Sequence, residues 1–349
     1  MTPYWQSDDG RHTLYHGDCL AWLATVEDAS IDLAVVDPPY YRVKGDWWDR
    51  QWDTPDGFLV WVDRLCEQWQ RVLKPNGSLY CFASPKMSAR VECAIAERFN
   101  VLNRIRWAKP AYSTKAEMFD KDTMRAFFPA SEEIVFAEQQ GQELTEGDRP
   151  VWSRAIEAVR IRAGLSRQDV SEFVVGTRSG ACWNWEAGIR FPDDQHWDKL
   201  CHCLPGLLLR DDAVPEWDGP QLQRREIRRP FFASPDAPYT DVWEFPTVQA
   251  YPGKHPCEKP QELIRHIIRT SSRPDALVLD CTGGSGSTAV AAKALGRRSV
   301  TCEIEEKWCR RARRNIEAGA MIGLPAGMVD GDAKRLPRAA PEDQLALTL

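Results

Sequence analysis

No run in the 349-residue sequence approaches the roughly 18 consecutive apolar residues of a membrane-spanning helix, so a membrane span is disfavoured. The opening Met1-Thr2-Pro3-Tyr4-Trp5-Gln6-Ser7-Asp8-Asp9 lacks the basic flank and apolar stretch of a secretory signal. Excess positive charge is missing as well: the net charge is -6, so contact with nucleic acid would need a local basic surface. The 11 cysteines have no regular spacing and are odd in number, which fits reduced thiols in a cytoplasmic protein and not a disulfide scaffold. With 43% hydrophobic and 28% charged residues, the chain has the composition of a folded domain with a real core. Its length allows two domains, or one α/β core carrying a large insertion.

The pattern alternates between strand and helix at both ends. Thr13 to His16 is a short extended run before Gly17-Asp18, and Cys19 to Thr25 fits a brief helix. The β-rich run Ile31 to Val36 stops at Asp37-Pro38-Pro39-Tyr40, where two prolines remove backbone donors, so Asp37 falls at the carboxyl end of a strand. A helix follows from about Pro55 to Leu73, with Phe58, Val62, Leu65, Trp69 and Leu73 at helical spacing, and Lys74-Pro75-Asn76-Gly77 closes it. Ser78 to Phe82, Val101 to Trp107 and Ile134 to Ala137 read as strands, with a helix over Met87 to Arg98. Between about 139 and 244 this order dissolves, apart from two helices, Val151 to Ala163 and one capped by Ser166, whose Gly-containing turn suits a helix-turn-helix. Alternation returns with a helix over Gln261 to Thr270, a strand over Ala276 to Asp280, a glycine turn into a helix over Ala289 to Leu295, and a strand from Arg298 ending at Glu303.

Two constellations carry chemistry. Gly283, Gly284 and Gly286 turn the chain tightly after a strand and expose helix-start amides, while Glu303, ending the next strand, can accept from ribose hydroxyls. This suits an adenosine-containing ligand; a phosphate loop would need a lysine followed by Ser or Thr, and the dinucleotide pattern would need a third glycine where Ala289 stands. In Asp37-Pro38-Pro39-Tyr40, a carboxylate and rigid carbonyls can take both hydrogens of an exocyclic amine and aim its lone pair at an electrophilic methyl, while Tyr40 stacks on a flat base. His196, Cys201, His202 and Cys203 do not have the spacing of a closed zinc site, and no metal is expected.

Together these residues give a resemblance. The order of Tyr15-His16-Gly17-Asp18, Asp32 to Tyr40, Leu73 to Gly77, Ser131 to Phe136, His255-Pro256-Cys257-Glu258-Lys259-Pro260, Leu279 to Thr288 and Glu303 resembles the β-class, permuted DNA amino-methyltransferases that act on adenine N6 or cytosine N4. The resemblance implies the S-adenosylmethionine-dependent methyltransferase fold, an α/β architecture with a seven-stranded, mostly parallel sheet, circularly permuted, plus an inserted target-recognition region. The corresponding divisions are 1–137 for the catalytic half, 138–242 for target recognition, 243–320 for the cofactor half and 321–349 for a tail.

By the same resemblance, Asp37, Pro38, Pro39 and Tyr40 are the catalytic residues, with Tyr41 as a second aromatic contact. Asp18, rather than Asp332 of a second Gly-Asp pair, holds the adenine of S-adenosylmethionine. Glu303 holds the ribose, and Asp280 with Gly283, Gly284, Ser285, Gly286, Ser287 and Thr288 holds the methionine portion. Asp37 adjoins the cofactor, and Lys259 touches it or fixes the turn. One departure is Cys281-Thr282-Gly283, where the family most often has Pro-Phe-Ala; the aromatic missing from the cofactor wall would be supplied by Trp308, Tyr15 or another residue. Cys81, Cys257 and Cys281 are expected to pack, since an amine needs no cysteine nucleophile.

The implied reaction is methyl transfer to adenine N6 in double-stranded DNA, with the base flipped out of the stack. Adenine is preferred because cytosine-amine members commonly carry Ser at position 37. Arg160, Arg162, Arg167, Arg178, Arg190, Arg224, Arg225, Arg228 and Arg229 are candidates for DNA contact, and Lys307 to Arg314 offers a further basic stretch. Trp47, Trp48 and Trp52 suit either a closing loop or a packed one. Cytosine N4 methylation and an inactive DNA-binding protein remain as alternatives, and a homodimer and a cognate restriction nuclease remain open as partners.

Overall fold

A computed structural model describes residues 1–110, 125, 127, 129–139, 151–187, 192–204, 229–232 and 238–321. Their strands are β1 (Trp5–Gln6), β2 (His12–His16), β3 (Ile31–Val36), β4 (Leu73–Ala83), β5 (Asn100–Ala108), β6 (Ser131–Glu138), β7 (Val242–Glu244), β8 (Leu277–Asp280) and β9 (Arg298–Glu303). They form one nine-stranded sheet in the order β1-β2-β9-β8-β3-β4-β6-β5-β7. The seven strands from β2 to β5 in that order are the frame expected from the sequence. Two short edge strands, β1 and β7, widen it to nine. Pairing is parallel from β2 through β4 and antiparallel where β6 meets β4 and β5.

Permutation is visible in the strand order. β8 and β9, late in the chain, lie between β2 and β3, so four strands with distant sequence numbers run side by side and end on one edge. Along that edge, Asp18, Glu303, Asp280 and Asp37 follow one another, in an order the linear chain does not have. Ligands of open parallel sheets bind outside the carboxyl ends of the strands, and this edge provides that crevice.

Helices α1 (Cys19–Leu23), α2 (Pro55–Val72), α3 (Ser88–Ala96), α8 (Gln261–Ser271), α9 (Ser287–Ala294) and α10 (Glu306–Ala318) cover the sheet. In α2, the Thr54 hydroxyl accepts from the Gly57 amide at 3.1 Å and Pro55 occupies the first turn. Its buried face of Phe58, Val62, Leu65, Cys66, Trp69 and Val72 packs with β3 and β4 strand residues in one core cluster. Each such large side chain contributes roughly 1.5–3 kcal/mol on burial. The helix ends at Leu73, but Lys74-Pro75-Asn76-Gly77 is not a separate turn. It lies within β4 as an irregularity, where the register jumps from Ile31 opposite Leu73 to Leu33 opposite Ser78.

Helices α4 (Val151–Arg162), α5 (Arg167–Val175), α6 (Ala181–Glu186) and α7 (Asp194–Cys203) form a cluster with its own core, including Ile156, Val170, Val174, Trp185 and Leu200. Ser166 caps α5 as expected, in a reciprocal box with Asp169, and the helix runs on to a left-handed Gly176 (φ 84°). His196, from the cysteine-histidine group, pairs with Asp193 at 2.7 Å. Among the described residues, no helix is long and apolar enough to cross a membrane. Arg190, Arg224, Arg225, Arg228 and Asp332, and the tail beyond Met321, lie outside the described residues.

Candidate active site

An open cavity lies at the carboxyl edge of the sheet. It is lined by Asp18, Asp37, Pro38, Pro39, Tyr40, Lys259, Asp280, Gly283, Gly284, Ser285, Ser287, Thr288 and Glu303. All the expected catalytic residues and all but one of the expected cofactor residues therefore face one space. Gly286 is the exception. At φ 84° it caps α9, and a Cβ there would come within 3.0 Å of Ala312, so its missing side chain admits α10 rather than a ligand.

Asp37 follows β3 into the floor of the cavity. Its Oδ2 accepts from Lys259 Nζ at 2.6 Å, while its buried Oδ1 has no hydrogen-bond partner in the protein. Lys259 Nζ also donates to the Tyr40 hydroxyl at 3.1 Å and lies 3.4 Å from Glu132 Oε2. Tyr40 in turn donates to Glu132 Oε2 at 2.9 Å, and Lys109 meets Glu132 Oε1 at 2.6 Å. Burial pushes the Asp37 carboxyl above its ordinary range despite the pull of Lys259. Burial acts on Glu132 in the same sense, but Lys259 and Lys109 outweigh it and hold that carboxyl down, to about 2.

The loop after Tyr40 is organised by a carboxylate that the sequence gave no reason to single out. Fully buried Asp49 accepts from the Tyr40 amide at 2.7 Å and from the Lys44 amide at 2.5 Å. This holds the turn at Tyr41 and Arg42, both in the left-handed region with φ 59° and 58°. The three loop tryptophans separate in role. Trp52 packs against Phe58 and Trp61, Trp48 lines the cavity and stacks on His255, and Trp47 stays 53% exposed while its indole donates to Glu305 at 3.3 Å. Tyr41 packs on Phe58 and is not part of the cavity lining.

On the other side, Glu303 is oriented by two backbone amides, from Gly284 and Glu305, each at 2.8 Å. Asp280 accepts from the Thr282 amide at 3.1 Å, and burial raises its pKa to about 7. Asp18 caps α1 through the Ala21 amide at 2.9 Å while facing the cavity. Glu258 ties the segment before α8 to the glycine turn, accepting from Tyr251 at 2.7 Å and from Ser285 at 2.8 Å. Neither Tyr15 nor Trp308 supplies the missing aromatic wall. Tyr15 packs on Trp22 and Trp308 on His255, and the aromatics lining the cavity are Tyr40, Trp48, Trp61 and Phe82, with the His255 ring beside them. Burial, with Lys259 and Lys254 nearby, lowers His255 to about 3, so its ring is neutral. Cys81 and Cys281 are buried; Cys257 lines the cavity, but burial raises its thiol to about 12, far from a thiolate nucleophile.

A family model described as DNA methylase matches residues 31–314. The chain belongs to this family. It is a permuted, β-class S-adenosylmethionine-dependent DNA methyltransferase of the N6-adenine and N4-cytosine group. The chain is 26% identical over 313 residues to the type II methyltransferase M1.MboII of Moraxella bovis, covering 86% of this chain and 94% of that one. It is 24% identical to the DNA adenine methyltransferase YhdJ of Escherichia coli strain K12, covering 88% and 83% of the two chains. In fold it is similar to the PvuII DNA methyltransferase, described as cytosine-N4-specific, with a TM-score of 0.50, 15% identity, and coverage of 90% of this chain and 95% of that chain.

The donor set of the methyltransferase fits S-adenosylmethionine, its cofactor. Acidic side chains at Asp18, Asp280 and Glu303 suit the hydroxyls and ammonium of that molecule, and an adjacent cation would favour the ionised form of Asp280, which burial holds up to about 7. Asp49 and Phe82 had no sequence-derived site role, Glu132 and Glu258 entered only as members of segments that carry the resemblance, and Trp48 was expected in a closing or a packed loop.

Proposed function

We propose that this methyltransferase modifies the exocyclic N6 amine of adenine in double-stranded DNA, with the target base flipped into the cavity. The observation that carries the reading is Asp37 Oδ1, a buried acceptor without a partner beside Pro38 and Tyr40, in the cavity that the glycine turn also lines. Asp37 accepts one amine hydrogen, the Pro38 carbonyl accepts the other, and the nitrogen lone pair is left directed away from both. The Tyr40 ring offers the base a stacking face, and Pro39 keeps the turn rigid. S-adenosylmethionine, when bound, supplies the electrophilic methyl group. As positive charge grows on the nitrogen, the Asp37 carboxylate stabilises it and is placed to take the released proton. Asp18, Asp280, Glu303 and the turn from Gly283 to Thr288 hold the cofactor, with Gly286 acting through the turn. Adenine is favoured by Asp rather than Ser at position 37, and YhdJ, an adenine enzyme by name, is among the relatives.

Target recognition is assigned to residues 138–242, within which α4 and α5 supply a helix-turn-helix. Arg160, Arg167 and Arg178 are engaged in ion pairs there, and Arg229 pairs with Glu138 at 2.8 Å; Arg160 is largely buried in its pairs, whereas Arg167 and Arg178 stay about half exposed and keep donors for a phosphate. The basic stretch on α10 is a solvated face of pairs such as Arg310–Glu306 and Arg313–Glu317. The test is incubation with labelled S-adenosylmethionine and unmodified genomic DNA, followed by nucleoside mass spectrometry and long-read mapping. Methyl-adenine in one motif supports the reading, whereas methyl-cytosine overturns the choice of base. Binding of cofactor without transfer to any DNA favours the inactive DNA-binding alternative. Light scattering of the DNA complex counts the copies engaged.

A further inference from the structure

Beneath the transfer site lies a four-charge arrangement that the cofactor and base do not themselves require. Two carboxylates, Asp37 and Glu132, and two ammonium groups, Lys259 and Lys109, alternate as Asp37–Lys259–Glu132–Lys109 with separations of 2.6, 3.4 and 2.6 Å. Lys259 is 7% exposed. It reaches Asp37 from the segment leading into α8, whereas Glu132 and Lys109 come from the paired strands β5 and β6 and the residue just after them. The Tyr40 hydroxyl is clamped in the same arrangement, donating to Glu132 and accepting from Lys259.

We propose that Lys259 and Glu132 are positioning residues for methyl transfer: Lys259 turns Asp37 Oδ2 inward and keeps Oδ1 facing the cavity, while Glu132 divides the lysine's charge between two carboxylates and fixes the Tyr40 hydroxyl. The inference rests on the role given to Asp37 above, and it moves Lys259 from cofactor contact to control of the catalytic carboxylate. Its logic is electrostatic competition. An opposite charge within hydrogen-bonding distance favours the ionised carboxylate, and a second carboxylate nearby disfavours it. The other ionisable groups around Asp37 are the Tyr40 hydroxyl on its own loop, Cys257 on the lysine's segment, Cys81 on β4 and Asp280 on β8. Cys257, Cys81 and Tyr40 all have pKa values raised by burial and are neutral near pH 7, and Asp280, at about 7, is partly ionised there; Lys259 and Glu132 are the charged groups tied to Asp37 by direct contact and by the shared lysine.

The decisive measurement follows Asp37 itself in the cofactor-free full-length protein, by carboxyl carbon NMR with the signal assigned by its loss in Asp37→Asn. Lys259→Met is expected to raise the Asp37 midpoint by about one to three pH units, and Glu132→Gln to lower it. Lys259→Arg keeps the charge and is expected to leave the midpoint near the wild-type value. In the active enzyme, the acid limb of kcat/KM should move in the same opposite directions, while calorimetric affinity for S-adenosylmethionine stays unchanged. Displacement in one common direction, or none, overturns the inference. So does loss of cofactor affinity in Lys259→Met with Asp37 unmoved, which would return the lysine to the cofactor. If Lys259→Met does not fold, Glu132→Gln still decides: a raised or unchanged midpoint overturns the proposal. Asp37 midpoints that move as expected in the variants, with no methyl transfer by the wild-type protein, would defeat the functional reading and leave the electrostatic arrangement standing.

Discussion

Glu186, buried in the helical cluster, and Asp37, half-buried at the sheet edge, are both carboxylates met by cations, yet their oxygens are used differently. Glu186 is 1% exposed; Arg160 reaches both of its oxygens and Arg167 one of them, and the Cys182 thiol adds a contact at 3.6 Å. Asp37 is bound at one oxygen by Lys259 and keeps the other unpartnered toward a cavity. A fully engaged buried carboxylate locks neighbouring elements together, here α4, α5 and α6. One with an unused acceptor retains unspent capacity for a ligand. The difference separates a structural ion cluster from a chemical one; in sequence Asp37 stands out through the prolines and tyrosine after it, whereas Glu186 reads as a lone acidic residue.

Substitution at these two positions should therefore separate chemistry from stability. Asp37→Asn is expected to reduce kcat/KM for transfer by roughly 10²–10⁴-fold while leaving thermal unfolding near that of the wild type. Comparable loss of melting temperature would place Asp37 with Glu186 as a structural carboxylate. Glu186→Gln leaves two arginines beside a neutral amide. Because Arg167 is half exposed, a cost of about 3 kcal/mol, the low end for breaking a buried pair, is expected in chemical denaturation. Affinity for S-adenosylmethionine should survive, since Glu186 is not among the residues lining the cavity.

Acidity sharpens the comparison further. Burial raises both Asp37 and Asp280, so each becomes protonated at a higher pH than an exposed aspartate. For Asp280 the midpoint is about 7, and its ionised form is the one that attracts an ammonium. Cofactor affinity should therefore strengthen as pH rises from 5.5 through about 7, a trend calorimetry would detect and Asp280→Asn should flatten. A flat wild-type profile would remove Asp280 from contact with the cationic end. The smallest effect belongs to the cap of α5: Ser166→Ala should cost about 1 kcal/mol of stability, without changing methyl transfer on a saturating substrate. A larger loss would show that the capping box supports more than its own helix.

Much of the sheet was legible because local pattern and tertiary role agree there. Leu33 to Val36 is apolar on both faces and buried on both, and the two prolines after Asp37 stop the strand where it does stop. Disagreement arose where only pairing could decide. Lys74-Pro75-Asn76-Gly77 has the composition of a turn, yet β3 draws it into β4 as a register shift. Likewise, the aromatic wall expected from Trp308, Tyr15 or another residue comes from neither named one but from Trp48, Trp61 and Phe82 on separate elements. Gly286 belongs to the glycine pattern by spacing, but its role is the approach of α10.

By itself, the sequence determined the elements with strong local patterning and the carboxylates at strand ends, because hydrophobic period, proline and glycine act over a few residues; the permuted order of the two halves came from the resemblance to the family. Tertiary structure alone decided that Lys259 would lie between Asp37 and Glu132, and that Asp37 would keep one oxygen unclaimed. Those facts depend on side chains 222 positions apart meeting across a sheet edge, in a buried setting where the position of every charge matters.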